Sequence, residues 1–404
     1  MNSIKTQTLK GFRDFLPQEA RERAWLKNVM ISVYEKWGYQ PLETPTLEPL
    51  EIFEGQIGED EKLFYKFKDN GNRDVALRYD QTVPTCRVIG QYYNEITFPF
   101  RRYQIQSAFR AENPQKGRFR EFTQSDADIF GVSSVEADAE VIAICLDLYK
   151  TLGFKDIVIL VNNRDLIKDI PYTAISTIDK LDKIGEEGVI EDMLKKGIEK
   201  TQAEKYLTFV RNLQPDETIK DIFSYLEKAG FDKNWFKFEP TLMRAFSYSE
   251  GPIWEITIPG YTGGSVGGGE RYDNLVEKIS GQKVAGTGVG IGFDRTLDAV
   301  KEFGLLPILE EITKVLVTVF SADLMDKSLE ISSKLRAAGI NTELWLDSTS
   351  KLDKQLKYAD QKQIPYAIII GPDEATQDKV VLKDLTSKTQ ETLSLDETIQ
   401  KLTS

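Results

Sequence analysis

The sequence predicts an α+β chain in two parts: a strand-rich body interrupted by a helical insertion, followed by a compact α/β domain. Three observations carry this expectation. At 404 residues the chain exceeds what one hydrophobic core ordinarily serves. Strand-like segments dominate on both sides of a charged, helix-rich stretch at about 164–235 that shows no strand alternation. After LLP at 305–307, short strands and helices alternate regularly over roughly 90 residues, as in an α/β domain with short connections. The body is therefore expected at 1–310 and the second domain at 312–404.

Residues 19–37 carry Trp25, Val29, Val33 and Trp37 four apart, with Gly38 as a stop, which predicts an amphipathic helix. YQPLETPTLEP follows; Pro41, Pro45 and Pro49 oppose helix and suit an edge or interface strand. FYKFKD and VALRYD read as strands joined by the NGN turn at 70–72. YQIQSAFRAE and FREFTQSDADIF flank a polar centre, NPQKGR, as the arms of a hairpin. A helix is expected from about 136 to 150, then a strand at DIVILVNN. Beyond the insertion, PIWEITIPGY returns to strand, and GGSVGGGERYDNLVEKI reads as a glycine-rich turn entering a helix. In GTGVGIGFDRTLDAV, Gly286, Gly288, Gly290 and Gly292 fall two apart. A strand there presents one bare face to a ligand, and the spacing is not that of a dinucleotide fingerprint. In the last domain KVLVTVF, NTELWL, YAIIIG and KVVLKDL are the expected strands, with helices at about 323–338 and 351–363.

Composition excludes more than it suggests. Hydrophobic residues at 41% and charged residues at 29% are globular values. With 52 basic against 64 acidic side chains the net charge is −12, which opposes bulk electrostatic binding of nucleic acid but permits a local basic patch. Cys86 and Cys145 lack metal-ligand spacing and read as reduced thiols. The opening MNSIKTQTLKGFRDFLP has no apolar stretch of signal-peptide length, and no run nears the ~20 apolar residues of a membrane span. A cytoplasmic chain with no membrane partner is expected. The absence of any histidine removes serine–histidine and cysteine–histidine hydrolysis and histidine-based zinc sites. Chemistry must rest on arginines, carboxylates, backbone donors and, at most, a hard metal ion.

FRAENPQKGRFREFTQSD sets Arg110, Arg118 and Arg120 within eleven positions. Alone, such a hairpin is often solvated surface. Here a hairpin carrying Arg110 and Arg118, and a bare glycine strand running into Arg295, would bring guanidiniums from distant parts of the chain to one anion. Guanidinium forks hold phosphate oxygens bidentately and stay charged when buried. Around a polyphosphate such as ATP they suffice for adenylyl transfer, which depends on positioning and charge stabilisation. A carboxylate nucleophile is already ionised, so no histidine base is needed.

KGFRDFLP, LRYDQTVP, FRAE–KGRFREFTQSDADIFG, ERYDNLV and GIGFDR occur in the order in which they occur in histidyl-tRNA synthetases, and in this respect the chain resembles that class II aminoacyl-tRNA synthetase family nearly end to end. The resemblance implies a class II antiparallel-sheet catalytic domain with a helical insertion, and a C-terminal α/β anticodon-binding domain. It also implies a homodimer built partly through residues 19–49, with an amino acid (histidine), ATP, Mg²⁺ and tRNA as ligands. By motif, Arg110 would hold the α-phosphate and amino-acid carboxylate, Glu112 the adenine amino group, Arg118 the outer phosphates and Arg295 the γ-phosphate side. Phe122 would stack on adenine, and Arg244 matches the family's additional catalytic arginine. Asp80, Thr82 and Gln124 match groups at the substrate's amino and carboxylate ends, while Asp128 and Tyr272 match the side-chain pocket. No metal-ligand set is implied within the chain.

The chain departs from the family beside Arg244. Where Gly-Leu-Asp-Tyr-Tyr is expected it has Ala245, Phe246, Ser247, Tyr248 and Ser249, and Glu270 replaces a glycine before Arg271. Tyr248, Ser249 and Glu270 therefore join the candidate amino-acid-binding residues. Two readings follow: Ser249 and Glu270 compensate each other and histidine is kept, or the same adenylation chemistry serves another amino acid or acceptor. A non-catalytic regulator on the same fold is the third reading. Lys351, Lys354 and Lys357, three apart on one helix, read as a solvated face or as contacts to tRNA phosphates.

Overall fold

The computed structural model describes residues 5–55, 58–113, 119–244 and 248–403. Arg118 of the NPQKGR stretch, and Ala245, Phe246 and Ser247 after Arg244, lie outside the described residues. The chain divides into two units, Met1–Pro307 and Ile308–Ser404.

An eight-stranded sheet organises the first unit. Its spatial order is Gln40–Pro41, Phe100–Phe109, Glu121–Phe130, Gly286–Gly292, Gly267–Arg271, Glu250–Thr257, Val158–Asn163 and Phe236–Phe238. Pairing is antiparallel through the middle and parallel only at the two outermost strands. The hairpin expected around NPQKGR forms the longest ladder, ten residues paired from Phe100↔Phe130 to Phe109↔Glu121.

Period-two alternation gives this sheet two chemically different faces. One face is apolar: Tyr103, Ile105, Ala127, Ile129, Val289, Ile291, Trp254 and Ile256 pack in one core with buried helix residues. The helices are Pro17–Lys36, Val135–Thr151 and Phe293–Glu302. The first of these spends Leu26, Met30, Val33 and Tyr34 on that core, so the buried stripe is turned slightly from the expected Trp25–Val29–Val33–Trp37. Large aromatic rings at 25 and 37 stay partly exposed at its edges. The opposite face is polar and carries the site.

The helix-rich stretch divides according to what each helix buries. Tyr172–Ile178, Leu181–Lys195 and Lys200–Arg211 share a separate core with Ile167 and Met243. Glu217–Lys228 instead sends Ile222 and Leu226 into the main core. A small antiparallel sheet of Leu47–Pro49, Asp74–Leu77 and Lys66–Lys68 completes this unit; the last two strands are those expected on either side of the NGN turn. Thr82–Gln91 is a helix that the sequence reading did not anticipate. Its Pro84 looks like a breaker, but it lies in the first turn, where a missing N–H costs nothing.

The second unit is a five-stranded sheet in the order Thr342–Leu344, Val315–Val317, Tyr366–Ile369, Lys379–Asp384, Gln390–Ser394. The first three strands are parallel and the last two antiparallel. Helices Met325–Ala337, Leu352–Gln361 and Leu395–Thr403 accompany them. The last strand and last helix were not foreseen, because KTQETLSLDETIQ is polar and its apolar residues are few. Both cysteines are buried and free, and among the described residues no helix is long and apolar enough to cross a membrane.

Candidate active site

Strand register alone assembles the floor of the site. Three rows run across the polar face: Arg102, Asp128, Gly288 and Glu270; Gln104, Asp126, Gly290 and Gly268; Gln106, Gln124 and Gly292. Side chains directly opposite one another share a face, so each glycine leaves a gap between polar neighbours. A cavity of about 410 Å³ opens above these gaps. Gly288, Gly290 and Gly292 line it, as expected of a bare strand. Gly286 does not: a Cβ there would meet the Tyr272 ring at 2.8 Å. A Cβ at Gly288 would collide with the Asp128 carboxylate, and one at Gly268 with the Arg244 guanidinium. The glycines are thus required by groups that lean across them.

At one end the cavity is lined by carboxylates. Asp128 accepts a hydrogen bond from the Tyr272 hydroxyl and forms a 2.7 Å ion pair with Arg102, both partners being buried. Burial raises the Asp128 pKa while Arg102 pulls it back. Tyr272 stands edge-on to Tyr248, their centroids 6.4 Å apart. Asp80 is buried just before the Thr82–Gln91 helix; Oδ1 accepts the Val83 N–H at 3.2 Å and Oδ2 has no hydrogen-bond partner. Burial pushes its pKa up to about 6, with the neighbouring Arg110 opposing. Thr82 opens that helix and also lines the cavity. Glu270 receives Arg244 Nε at 3.3 Å and Nη2 at 3.2 Å, together with the Ser249 hydroxyl. Ser249 thus stands behind Glu270 rather than on the cavity wall.

The other end is cationic and aromatic. The Arg110 guanidinium lies 4.2 Å from the Tyr79 ring centroid and 5.0 Å from that of Phe122. Its Nε is buried with no hydrogen-bond partner. A guanidinium sandwiched between rings keeps its fork aimed at a ligand. Glu112 and Gln124 line the wall nearby, and Arg295 lies beside Gly292 with Nη1 donating to the Ser265 carbonyl at 2.8 Å. Arg120 plays a different part from its neighbours. Its guanidinium donates to the carbonyls of Glu112 and Lys10, so this arginine ties the hairpin to the amino-terminal segment and does not face the cavity.

All candidate residues within the described chain, apart from Ser249, line this one cavity: Asp80, Thr82, Arg110, Glu112, Phe122, Gln124, Asp128, Arg244, Tyr248, Glu270, Tyr272 and Arg295. Sequence reasoning missed the layer that supports them. Arg102 and Asp126 are buried beneath the wall, and Asp294 lines it next to Arg295. The alternation in RRYQIQ and TQSDAD was the available signal for the first two. Asp294 accepts Arg13 at 2.8 Å, Arg23 at 2.5 Å and the Thr123 N–H at 3.0 Å. Arg13 also covers the Phe119 ring at 3.4 Å. This clamp explains the amino-terminal KGFRDFLP motif: it holds the start of the hairpin's second arm at Phe119 and Thr123. Asp294→Ala should leave two part-buried guanidiniums without their carboxylate and lower stability by about 1–3 kcal/mol. A urea titration in which the midpoint does not move would remove this role.

An antiparallel sheet whose polar face joins a carboxylate-lined pocket to an arginine-lined one has the architecture of class II aminoacyl-tRNA synthetases. The comparisons narrow it further. The histidyl-tRNA synthetase family profile matches residues 11–187, and an anticodon-binding-domain profile matches residues 314–404. The histidine–tRNA ligase of Cytophaga hutchinsonii is 36% identical over 97% of this chain and 98% of its own length. That of Clostridium tetani is also 36% identical, over 98% of each chain. Among solved structures, histidyl-tRNA synthetase from Nostoc sp. PCC 7120 superposes with a TM-score of 0.81 at 30% identity, covering 99% of both chains. The chain belongs to the histidyl-tRNA synthetase family.

Proposed function

We propose that this chain activates histidine with ATP and transfers it to tRNA. The observation that carries the reading is one cavity lined by the carboxylates Asp80, Asp128 and Glu270 and by the guanidiniums Arg110, Arg244 and Arg295, with Arg110 beside Asp80 and Arg244 over Gly268. Histidine would place its ammonium at Asp80, its ring over Gly288 and its carboxylate toward Arg110 and Gln124. That carboxylate attacks the α-phosphate; the bond to the β-phosphate breaks, and histidyl-adenylate and pyrophosphate form. A terminal ribose hydroxyl of tRNA then takes the acyl group and AMP leaves. Arg110 and Arg244 offset the charge that develops at the α-phosphate, Phe122 stacks on adenine and Glu112 reads its amino group. Arg295, with Arg118, holds the outer phosphates.

Mg²⁺ fits as an ion carried on those phosphates. The described residues contain no group of three acidic, cysteine or histidine side chains that could cage a metal. Mg²⁺ commonly keeps its waters and relies on phosphate oxygens. Bound there, it would offset phosphate charge.

In the C-terminal unit, Phe320 and Leu346 are exposed beyond the carboxyl ends of adjacent parallel strands. Exposed bases of an anticodon loop would stack there, with Lys351, Lys354 and Lys357, all exposed, near the phosphates. A homodimer would cover the apolar side chains of the small sheet, Leu47 and Phe67, both more than 40% exposed. A cytoplasmic location suits two free cysteines.

Two measurements test the reading. Incubation with tRNA, ATP and labelled histidine should give acid-precipitable histidyl-tRNA; ATP binding without any charging would favour a regulator. Because Asp80 must be ionised to hold an ammonium, affinity for 2-fluorohistidine, whose ring does not titrate in this range, should fall as pH drops through about 6, where protonation removes the Asp80 charge. Affinity unchanged between pH 7 and pH 5 would remove Asp80 from that role.

A further inference from the structure

The substituted positions around Arg244 make the side-chain pocket unlike a neutral-imidazole site. Asp128, Gly288 and Glu270 are consecutive partners across three antiparallel strands, so both carboxylates rise from the same face with a glycine between them. Their backbones lie two strand spacings apart, about 9.6 Å. Asp128 leans over Gly288, narrowing that span. An imidazole ring carries its two nitrogens on separate edges, and acceptors reached from both by hydrogen bonds of about 2.8 Å stand roughly 7 Å apart. Each carboxylate approaches from one side of that gap.

Two hydroxyls beside these carboxylates are already used as donors to them: Tyr272 donates to Asp128 and Ser249 to Glu270. Ionised carboxylates only accept. A neutral ring offers one donor and one acceptor nitrogen, so one of its edges would meet an acceptor with no proton between them. Glu270 also retains capacity, because both Arg244 contacts lie beyond 3.1 Å and Oε1 receives only one of them. We infer that Asp128 and Glu270 together bind the substrate side chain as a doubly protonated imidazolium, one N–H to each carboxylate. Glu270 is thereby the specificity-determining residue. The inference rests on histidine being the substrate.

The surroundings of Glu270 fit this assignment. Arg244 and Ser249 contact it, Asp80, Asp128 and Tyr248 feel its charge, and so does Arg164 from the start of the insertion. Arg244 contacts Glu270 only at 3.2 and 3.3 Å, so an imidazolium can add to it as a second cationic partner. The bound cation adds to Arg102 at Asp128 and to Arg244 at Glu270, so each buried carboxylate keeps a positive partner.

The test uses amino-acid-dependent ATP–pyrophosphate exchange with histidine and with 2-fluorohistidine, a near-isostere whose ring stays neutral at pH 7. For the unmodified chain, KM for histidine should rise about tenfold per pH unit from pH 7 to 8.5 as the imidazolium, with a pKa near 6.5, is lost. Asp80, at about 6, is already ionised in that window and adds no slope. Fluorohistidine should have a KM higher by about 10- to 150-fold at pH 7. Glu270→Gln supplies an amide N–H to a neutral ring, so it should flatten the KM profile and bring fluorohistidine within about threefold of histidine. A role confined to holding Arg244 would change kcat and leave the fluorohistidine-to-histidine KM ratio where it was. Equal KM values in the unmodified chain, or a flat profile, would overturn the inference while exchange with histidine still upheld the function. The absence of exchange with histidine at every pH would remove the function itself.

Discussion

Arg244→Ala lowers the turnover of histidine-dependent pyrophosphate exchange by about 10²–10³, while the KM for ATP changes far less. The expectation follows from where the guanidinium sits. It lies over Gly268, in the row between the carboxylate pocket and the nucleotide wall, and Glu270 holds it there. A charge placed where negative charge grows at the α-phosphate acts on the transition state more than on bound ATP. Arg110 and Arg295, which line the cavity from other elements, would remain for binding. The substitution also strands Glu270, whose side chain is only 8% exposed. Some loss of stability, about 1–3 kcal/mol, should accompany the loss of rate. Adding Glu270→Gln to Arg244→Ala should recover stability but not turnover. Parallel losses of kcat and ATP affinity would place Arg244 in binding instead.

Asp128→Ala should destabilise the catalytic unit by about 3 kcal/mol and abolish measurable histidine activation. Arg102 is fully buried, and Asp128 is its ion-pair partner at 2.7 Å. Removing one member of a buried pair leaves an uncompensated charge, which ordinarily costs about 3–5 kcal/mol. The lower end is expected because Asp126 stands in reserve. Burial holds the Asp126 pKa well up, Asp128 raises it further and Arg102 opposes. Without Asp128, Asp126 can ionise and partly replace it. Urea unfolding of Asp128→Ala and of Asp126→Asn with Asp128→Ala separates these contributions; the double variant should be the less stable. Equal stability of the two would show that Asp126 provides no reserve.

Much of the site was legible because the chemistry follows the strand period. Gln124, Asp128 and the glycines from Gly286 to Gly292 fall on strands expected from the sequence, Arg110 directly follows another, and pairing then puts them together. What was not legible depends on tertiary partners. Arg110 and Arg120 look alike in sequence, yet one is held between rings facing the cavity and the other donates to backbone carbonyls. Gly286 has the same spacing as Gly288, but only packing against Tyr272 tells them apart. Asp294 sits one residue before Arg295 and clamps Arg13 and Arg23 from far along the chain, which no local pattern announces. The Thr82–Gln91 helix was hidden by Pro84, and the Gln390–Ser394 strand by its polarity. Glu270 was visible as a departure, but its hydrogen bonds to Ser249 and Arg244 required the fold.

Amino-acid-dependent ATP–pyrophosphate exchange, measured separately with each standard amino acid at pH 7, tests the central claim most directly. Exchange with histidine alone, lost in Arg244→Ala, is the predicted result. Exchange supported by another amino acid and not by histidine would contradict it, and would make Ser249 and Glu270 the marks of a different substrate.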